Sequence, residues 1–219
     1  DGRHGCCWQR NRAEHQAAEP VTHSFDTMLS LFAQTGQYEE GLKMVPEIEE
    51  GLIRFDSKLS AVRKATFYMN IAVLMFGMEL YNEALKWNNQ LLNNVKMDKA
   101  EDLQCMALLF NLVIHLELEN QSLVDYAMRS TKRFLETREK KYQFESIFLR
   151  FVNDLLKERR SKSEKELYQD LLQDLEALKN DPFEQSAYDY FNFEVWAKSR
   201  ISKRSFAEEQ KEWAEKRKK

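Results

Sequence analysis

The chain has 219 residues, of which 43% are hydrophobic and 32% charged, and its net charge is −3. This length provides for one ample core or one extended repeat array. A weakly acidic chain has no general electrostatic affinity for nucleic acid or acidic membranes, and no apolar run approaches the ~20 residues of a membrane span. Six glycines and three prolines are too few for a sheet protein with many turns, so the composition favours long helices.

The N-terminal segment and the cysteines bear on the chain's ends and its compartment. Residues 1–20 contain no Leu, Ile, Val, Met or Phe, so we expect 1–21 to be a disordered or non-native segment of a chain excised from a longer protein. Cys6, Cys7 and Cys105 are odd in number and form no spaced framework. That pattern predicts a reducing, cytoplasmic compartment.

The first predicted unit covers residues 22–55. Its first helix carries an apolar stripe, a turn follows at 34–37, and a second helix begins at Tyr38. Pro46 lies inside that second helix. Since proline removes a backbone donor, we expect either a kink near 42–45 or a new helical turn.

The second unit, centred on residues 66–92, is the middle of the predicted fold. Its first half is apolar on nearly every face, with Phe67, Ile71 and Leu74 among the large side chains. Its second half is apolar on one side only. A buried helix followed by an amphipathic helix after a tight turn is the unit of an α-solenoid.

Two more units and a final helix follow. Pairs of a capping residue and an acidic residue three positions later predict helix starts at Asp98, Ser122 and Ser163. Residues 182–196 predict an aromatic helix that covers the last unit, with Glu184 on its outer face. A homodimer interface is the alternative for this helix.

Two turns resemble those of tetratricopeptide repeats. Residues 36–42 (GQYEEGL) and 79–85 (ELYNEAL) share a Tyr and, three positions later, a small residue, which in that family let two helices pack closely. Tyr38 and Tyr81 are 43 positions apart, longer than the family's period of roughly 34 residues. Residues 22–203 also resemble C-terminal regions of bacterial tetratricopeptide proteins with no known activity.

The resemblance implies an all-α, right-handed α-solenoid of antiparallel helix hairpins. We expect this repeat domain to occupy residues 22–200, followed by a charged C-terminal tail, 201–219, that is compatible with a helix. The function it implies is a cytoplasmic protein-interaction scaffold that binds a peptide or partner helix in its groove.

The groove is predicted on the first helices of the second and third units. An alternative is that the protein's own helices fill it. Only Asn70 matches a carboxylate-gripping position of the family, which argues against a carboxylate clamp. The predicted groove residues are Met69, Asn70, Val73, Phe76, Met106, Leu109 and Val113.

Two other functions remain open. One is a peptide-responsive regulatory module that controls a missing N-terminal domain. The less favoured one is nucleic-acid binding through a basic patch, for which a solvated helix face is the better interpretation because acidic residues are interspersed. The patch consists of Arg129, Lys132, Arg133, Lys140 and Lys141, with Arg138 between them.

No motif predicts an enzyme. His115 lies in an apolar helix, and a hydrogen-bonded, partly buried histidine is a better interpretation than a ligand or an acid–base group. No pair of histidines has metal-ligand spacing, and there is no phosphate-binding loop or nucleophile elbow. We therefore predict no catalytic residue, no metal, no cofactor and no membrane partner, and a homodimer remains open.

Overall fold

The computed structural model describes residues 24–94, 101–157, 161–181, 184 and 190–217. Every regular element within these ranges is a helix. None of those helices is long and apolar enough to cross a membrane. The predicted N-terminal segment and the helix start at Asp98 lie outside the described residues.

Helices of five to seventeen residues make up most of the described ranges. Their bounds are α1 (24–35), α2 (Tyr38–Leu42), α3 (Val45–Arg54), α4 (Ala61–Gly77), α5 (Tyr81–Asn94), α6 (Glu101–Glu117), α7 (Gln121–Thr137), α8 (Gln143–Leu156), α9 (Glu164–Leu178), α10 (Phe193–Ser202) and α11 (Phe206–Lys216).

Helices adjacent in the chain pack against each other along most of the molecule. α4 packs on α5, α6 on α7 and α8 on α9, while α5 also contacts α6, α7 contacts α8 and α9 contacts α10. A second series joins α4 to α6 and α6 to α8. α4, α6 and α8 therefore form an inner row, and α5 and α7 bridge successive members of it.

The inner helices are buried because their sequences are apolar on several faces. Phe67, Ile71 and Leu74 of α4 are at most 2% exposed. Burying each such side chain stabilises the fold by about 1.5–3 kcal/mol. Ser60 begins α4 by accepting a hydrogen bond from the Arg63 amide at 3.2 Å. The prediction of a central, many-faced helix is confirmed.

The second helix predicted for the first unit is divided into two helices just before Pro46. α2 ends at Leu42, and α3 begins at Val45 with Pro46 in its first turn. A first-turn proline costs no hydrogen bond, since that amide has no partner within the helix. The alternative in which Pro46 starts a new turn is thus the one observed.

One residue with left-handed backbone occurs in each of four turns. These are Gly36 between α1 and α2, Glu79 between α4 and α5, Glu119 between α6 and α7, and Lys203 between α10 and α11. Their φ angles lie between 56° and 71°. A left-handed residue after a helix lets the last carbonyls be capped by following amides. The same turn therefore recurs along the chain.

The capping predictions had mixed outcomes. The start at Ser163 is confirmed, since its hydroxyl accepts from the Glu166 amide at 3.3 Å. The start at Ser122 is wrong by two positions, because Asn120 is the N-cap and α7 begins at Gln121. Local turn geometry, set by left-handed Glu119, determines that start.

The C-terminal region differs most from expectation. Residues 190–192 are not helical, and α10 begins at Phe193 with the Asn192 side chain accepting from the Val195 amide at 3.1 Å. The boundary predicted after residue 200 does not separate a core from a tail, because Phe206 and Gln210 of α11 are buried.

Glu184 is also buried rather than on an outer face. Its carboxylate accepts hydrogen bonds from the amides of Gln143 at 2.8 Å and Phe144 at 3.1 Å. These are the first two amides of α8, which have no partner within the helix. Glu184 therefore caps α8 from 40 residues away in the chain.

Candidate functional site

The predicted groove is covered by the protein itself. All seven of its residues are buried, none more than 5% exposed. Phe76 and Phe110 on the inner row contact aromatic rings contributed by residues 190–217. A partner can reach these seven side chains only if part of the chain moves.

The cover is an aromatic seam, which we define as Phe76, Phe110, Phe144 and Phe148 of the inner row with Phe191, Phe193, Trp196 and Phe206. Ring centroids in these contacts lie 4.6–6.1 Å apart. Edge and tilted contacts of this kind add about 0.5–1.5 kcal/mol each beyond the area they bury. The seam thus joins the C-terminal segment to three successive inner helices.

Phe206 is the point at which α11 enters this seam. Its ring is stacked on Phe191 at 5.2 Å and on Tyr38 at 5.9 Å, and meets Phe76 edge-on at 5.3 Å. We call these three side chains, with the backbone of residues 34–36, the α11 seat. Tyr38 is fully enclosed there, and burial raises the pKa of its hydroxyl.

Two glycines allow the close approach of these elements. A Cβ added at Gly36 would lie 2.9 Å from Lys211 Cγ and 3.3 Å from the Ala207 carbonyl. One added at Gly77 would lie 2.4–2.5 Å from the Tyr38 ring. Side chains at either place would push α11 or Tyr38 out of position.

Few side chains of α11 besides Phe206 are buried. Gln210 is 2% exposed, and its Nε2 donates to the Gln34 carbonyl oxygen at 2.6 Å. Phe206 and Gln210 are the buried residues of α11, whereas most of its other side chains are charged and contact solvent. Ala207 and Trp213 are partly buried against the core, and α11 also packs on α10. Phe206 and Gln210 are thus its deepest anchors.

An open polar cleft of about 550 Å³ adjoins the α11 seat. Phe76 and Phe206 form its inner wall, and α6, α9, α10 and the turn before α11 supply polar walls. Its polar lining residues are Glu79, Tyr81, Glu117, Glu164, Lys165, Tyr168, Ser199, Arg200, Lys203, Arg204 and Ser205.

Glu117 is at the centre of the polar cleft. Its carboxylate accepts from Trp196 Nε1 at 2.6 Å and pairs with Arg200 at 3.2 Å. Burial raises the pKa of the Tyr81 hydroxyl, and the nearby Glu117 charge raises it further. Trp196 and Arg200 are thus fixed in place by one acceptor, which shapes the cleft wall.

His115 lies in a second hollow that continues from the cleft past Glu117 and Arg200. Its Nδ1 is buried and has no hydrogen-bond partner among the described residues. Burial lowers the pKa of the imidazole. The predicted burial of the histidine agrees with this placement, but of its two ring nitrogens Nδ1 does not make the hydrogen bond that the prediction implied.

The predicted basic patch is divided in the structure. Arg138 is buried, pairing with Glu145 at 2.5 Å and Asp102 at 2.7 Å, and Cys105 Sγ also donates to Glu145. Lys140 pairs with Asp102 as well. Arg129, Lys132 and Arg133 remain exposed on α7, and Lys141 is exposed after it.

Sequence reasoning missed Phe206 and Gln210, because each is isolated in a charged segment. The signal available was the start of α11, since Ser205 and Glu208 form a capping box. The described residues contain no group of three or more His, Cys, Asp or Glu placed to hold a metal ion. Comparisons of the chain with protein-family models, curated proteins and solved structures found no match.

Proposed function

We propose that this chain is a tetratricopeptide-like interaction module whose groove binds a helical partner segment in the place now taken by α11. The observation that carries the proposal is the α11 seat. It already holds one helix beside Phe76 of the groove, with Phe206 and Gln210 as its buried anchors and Ala207 and Trp213 packed partly buried next to them. No reaction is proposed.

A right-handed repeat arrangement is part of the same proposal. The left-handed turn residues support the repeat itself, since Gly36, Glu79 and Glu119 recur at intervals of 43 and 40 positions, and Lys203 follows after 84, about two further repeats. Ala84 supports it too. It is fully buried where the family places a small residue between two helices.

The open polar cleft gives a partner a place to begin binding. It shares Phe76 with the seat and is also lined by Phe206, the ring that occupies the seat, so a peptide held in the cleft lies next to the seat. An incoming aromatic side chain would then replace Phe206. Recognition of a helix by one face anchored in an apolar groove is a recurring mode of peptide binding.

The test uses α11 itself as the ligand. Phe206→Glu in the full chain places a charge among three rings and should release α11. A labelled peptide of residues 203–217 should then bind this variant at micromolar concentrations. It should not bind the parent, in which the tethered helix competes at an effective concentration of about millimolar.

Two further variants make the result decisive. Gln210→Ala should give weaker binding of the same peptide by loosening α11 without a buried charge, and Glu215→Ala, at an exposed position of α11, should behave as the parent. Circular dichroism checks that each variant is folded. A Phe206→Glu variant that is folded but does not bind the peptide would contradict the proposal.

One observation favours the alternative function, a peptide-responsive regulatory module. α11 touches the first unit through Gln34, Gly36 and Tyr38, so its displacement alters contacts at the N-terminal end. Hydrogen exchange of α1 should rise when the peptide enters the Gln210→Ala variant. Unchanged exchange in α1 would favour a simple scaffold.

A further inference from the structure

A small hollow lies beside the α11 seat, where α1, α2, α4, residues 190–192 and α11 meet. Its volume is about 40 Å³, which holds roughly two or three water-sized groups. It continues into an open pocket of about 400 Å³, and the two share Ser30, Gln34, Asn70 and Tyr190. A single small group can therefore enter here, although the groove is closed to a partner helix.

Three side-chain oxygens around the hollow lack a hydrogen-bond partner among the described residues. Gln210 Nε2 donates to the Gln34 carbonyl oxygen, which can only accept, so the amide orientation is fixed and Gln210 Oε1 is left unpaired. In the same way Asn70 is 5% exposed and donates from Nδ2 to the Asp26 carboxylate at 3.0 Å, which leaves its Oδ1 unpaired. The third oxygen is the enclosed Tyr38 hydroxyl.

These oxygens define the chemistry of a ligand. A buried acceptor without a donor costs free energy, and native proteins pair the great majority of such atoms with protein, water or a bound group. The two amide oxygens can only accept, and a phenolic hydroxyl accepts as well as donates. A primary ammonium group has three N–H donors and no acceptor, so it matches the three oxygens.

The charges around the hollow favour a cation over an anion. Among the described residues that line the hollow and the open pocket, Asp26 alone is charged. Arg63 lies outside that lining and pairs with Asp26 at 3.3 Å, so the pocket is only weakly negative and the three oxygens supply most of the specificity.

Aromatic side chains form much of the remaining wall. Their faces attract cations, and their apolar surface suits the methylene groups next to an ammonium. They are Tyr38, Tyr190, Phe191, Phe206 and Trp213.

We propose that the hollow binds the primary ammonium group of an alkylamine, with the carbon chain leading out through the open pocket. The three N–H groups donate to Tyr38 Oη, Asn70 Oδ1 and Gln210 Oε1. Because α11 supplies Gln210, the ligand binds only while α11 is seated, and the site stands independently of partner exchange at the seat. Free polyamines and lysine side chains both carry this group, and the experiment separates them.

Nuclear magnetic resonance titration of the isotope-labelled full chain at about pH 7, where alkylamines are protonated, tests the proposal. n-Butylammonium should shift the indole N–H resonance of Trp213, which lines the hollow. Its dissociation constant should be about 1 mM, modest because the ligand is so small. n-Butanol lacks the charge and n-butyltrimethylammonium lacks the N–H donors, so each should bind at least about tenfold more weakly.

Tyr38→Phe is the decisive variant, because it removes one acceptor and keeps the ring. It should weaken n-butylammonium binding about tenfold, as expected for one hydrogen bond to a charged group. The melting temperature of the free protein should not fall, since the lost hydroxyl has no partner among the described residues. Tyr126→Phe removes a hydroxyl from an exposed ring on α7 and should leave the affinity unchanged.

Two larger ligands identify the source of the ammonium group. Putrescine represents free polyamines, and Nα-acetyl-lysine methylamide represents a lysine side chain within a polypeptide. The one that binds more tightly names the class of natural ligand.

Three results would overturn the proposal. The first is the absence of a saturable shift up to about 20 mM n-butylammonium, which would mean that the hollow holds water only. The second is equal affinity for n-butanol or n-butyltrimethylammonium. The third is an affinity that Tyr38→Phe leaves unchanged or that Tyr126→Phe lowers as much.

Discussion

At the scale of single residues, several side chains are held in states that cost free energy. Glu79, Glu119 and Lys203 have left-handed backbone, which costs a residue with a Cβ about 1–2 kcal/mol. His115 is enclosed with an unpaired nitrogen. The first feature predicts a mutation that stabilises the fold, and the second predicts a dependence of stability on pH.

Glu119→Gly should stabilise the fold. Its φ of 56° is one that glycine adopts freely, and its exposed side chain makes no hydrogen bond or ion pair within the described residues. We expect a gain of about 0.5–1 kcal/mol in urea unfolding, partly offset by the freedom that glycine adds to the unfolded chain. Gly36→Ala should do the reverse, because Lys211 is 2.9 Å from the added Cβ. A loss of stability in Glu119→Gly would contradict the turn geometry.

His115 should make the protein less stable in mild acid. Burial lowers the pKa of its imidazole, so the unfolded chain binds a proton that the folded chain excludes as pH falls below about 6.5. Stability is thus full above that pH and decreases below it, by at most ~1.4 kcal/mol per pH unit for one proton.

His115→Gln tests this directly. The difference in unfolding free energy between the two proteins should narrow as pH falls from 7.5 to 5.5, because only the parent loses this contribution. The other histidines are common to both proteins and cancel. Parallel pH profiles would show that His115 does not take part.

At the scale of elements, what is local in sequence was predictable. The α4 helix, its turn at Glu79 and the capping box at Ser163 follow from patterns within a few residues. Contacts between distant residues were not. Phe206 lies in a largely charged stretch whose other aromatic residue is Trp213, and nothing near it indicates that Tyr38 and Phe191 surround it.

Glu184 is a second case, and it makes a prediction. Glu184→Ala removes both acceptors at the start of α8 and should cost about 1–2 kcal/mol, whereas Glu184→Gln should cost less because one acceptor remains. Chemical denaturation measures both. Glu215→Ala removes an exposed carboxylate of α11 and should change stability by no more than ~0.5 kcal/mol. Equal effects of Glu184→Ala and Glu215→Ala would contradict the cap.

At the scale of the whole molecule, α11 ties the last helices to the first unit. The bond between Gln210 and Gln34 joins residues 176 positions apart. In an open repeat array each unit contacts only its neighbours, and the ends open first. Here the two ends stabilise each other.

Phe206→Ala should therefore do more than lower the melting temperature. Calorimetry of the parent should show one transition in which the calorimetric and van't Hoff enthalpies agree. The variant should show a broadened transition with a lower van't Hoff enthalpy, because the ends can open separately. Phe55→Ala, at a half-buried position outside the seam, should keep the single transition. A sharp, merely shifted transition in Phe206→Ala would contradict mutual support of the ends.

The contact between Gln34 and Gln210 also has a consequence for how the chain reaches its native state. Neighbouring helices associate over short loops and are expected to assemble early, in any order. Closure between the ends requires nearly the whole chain to be in place, so it forms last and contributes little to the transition state. Changes at Phe206 should then accelerate unfolding and leave the refolding rate almost unaltered. For this protein, the contacts that join α11 to the first unit set the rate of unfolding and do not form part of the folding nucleus.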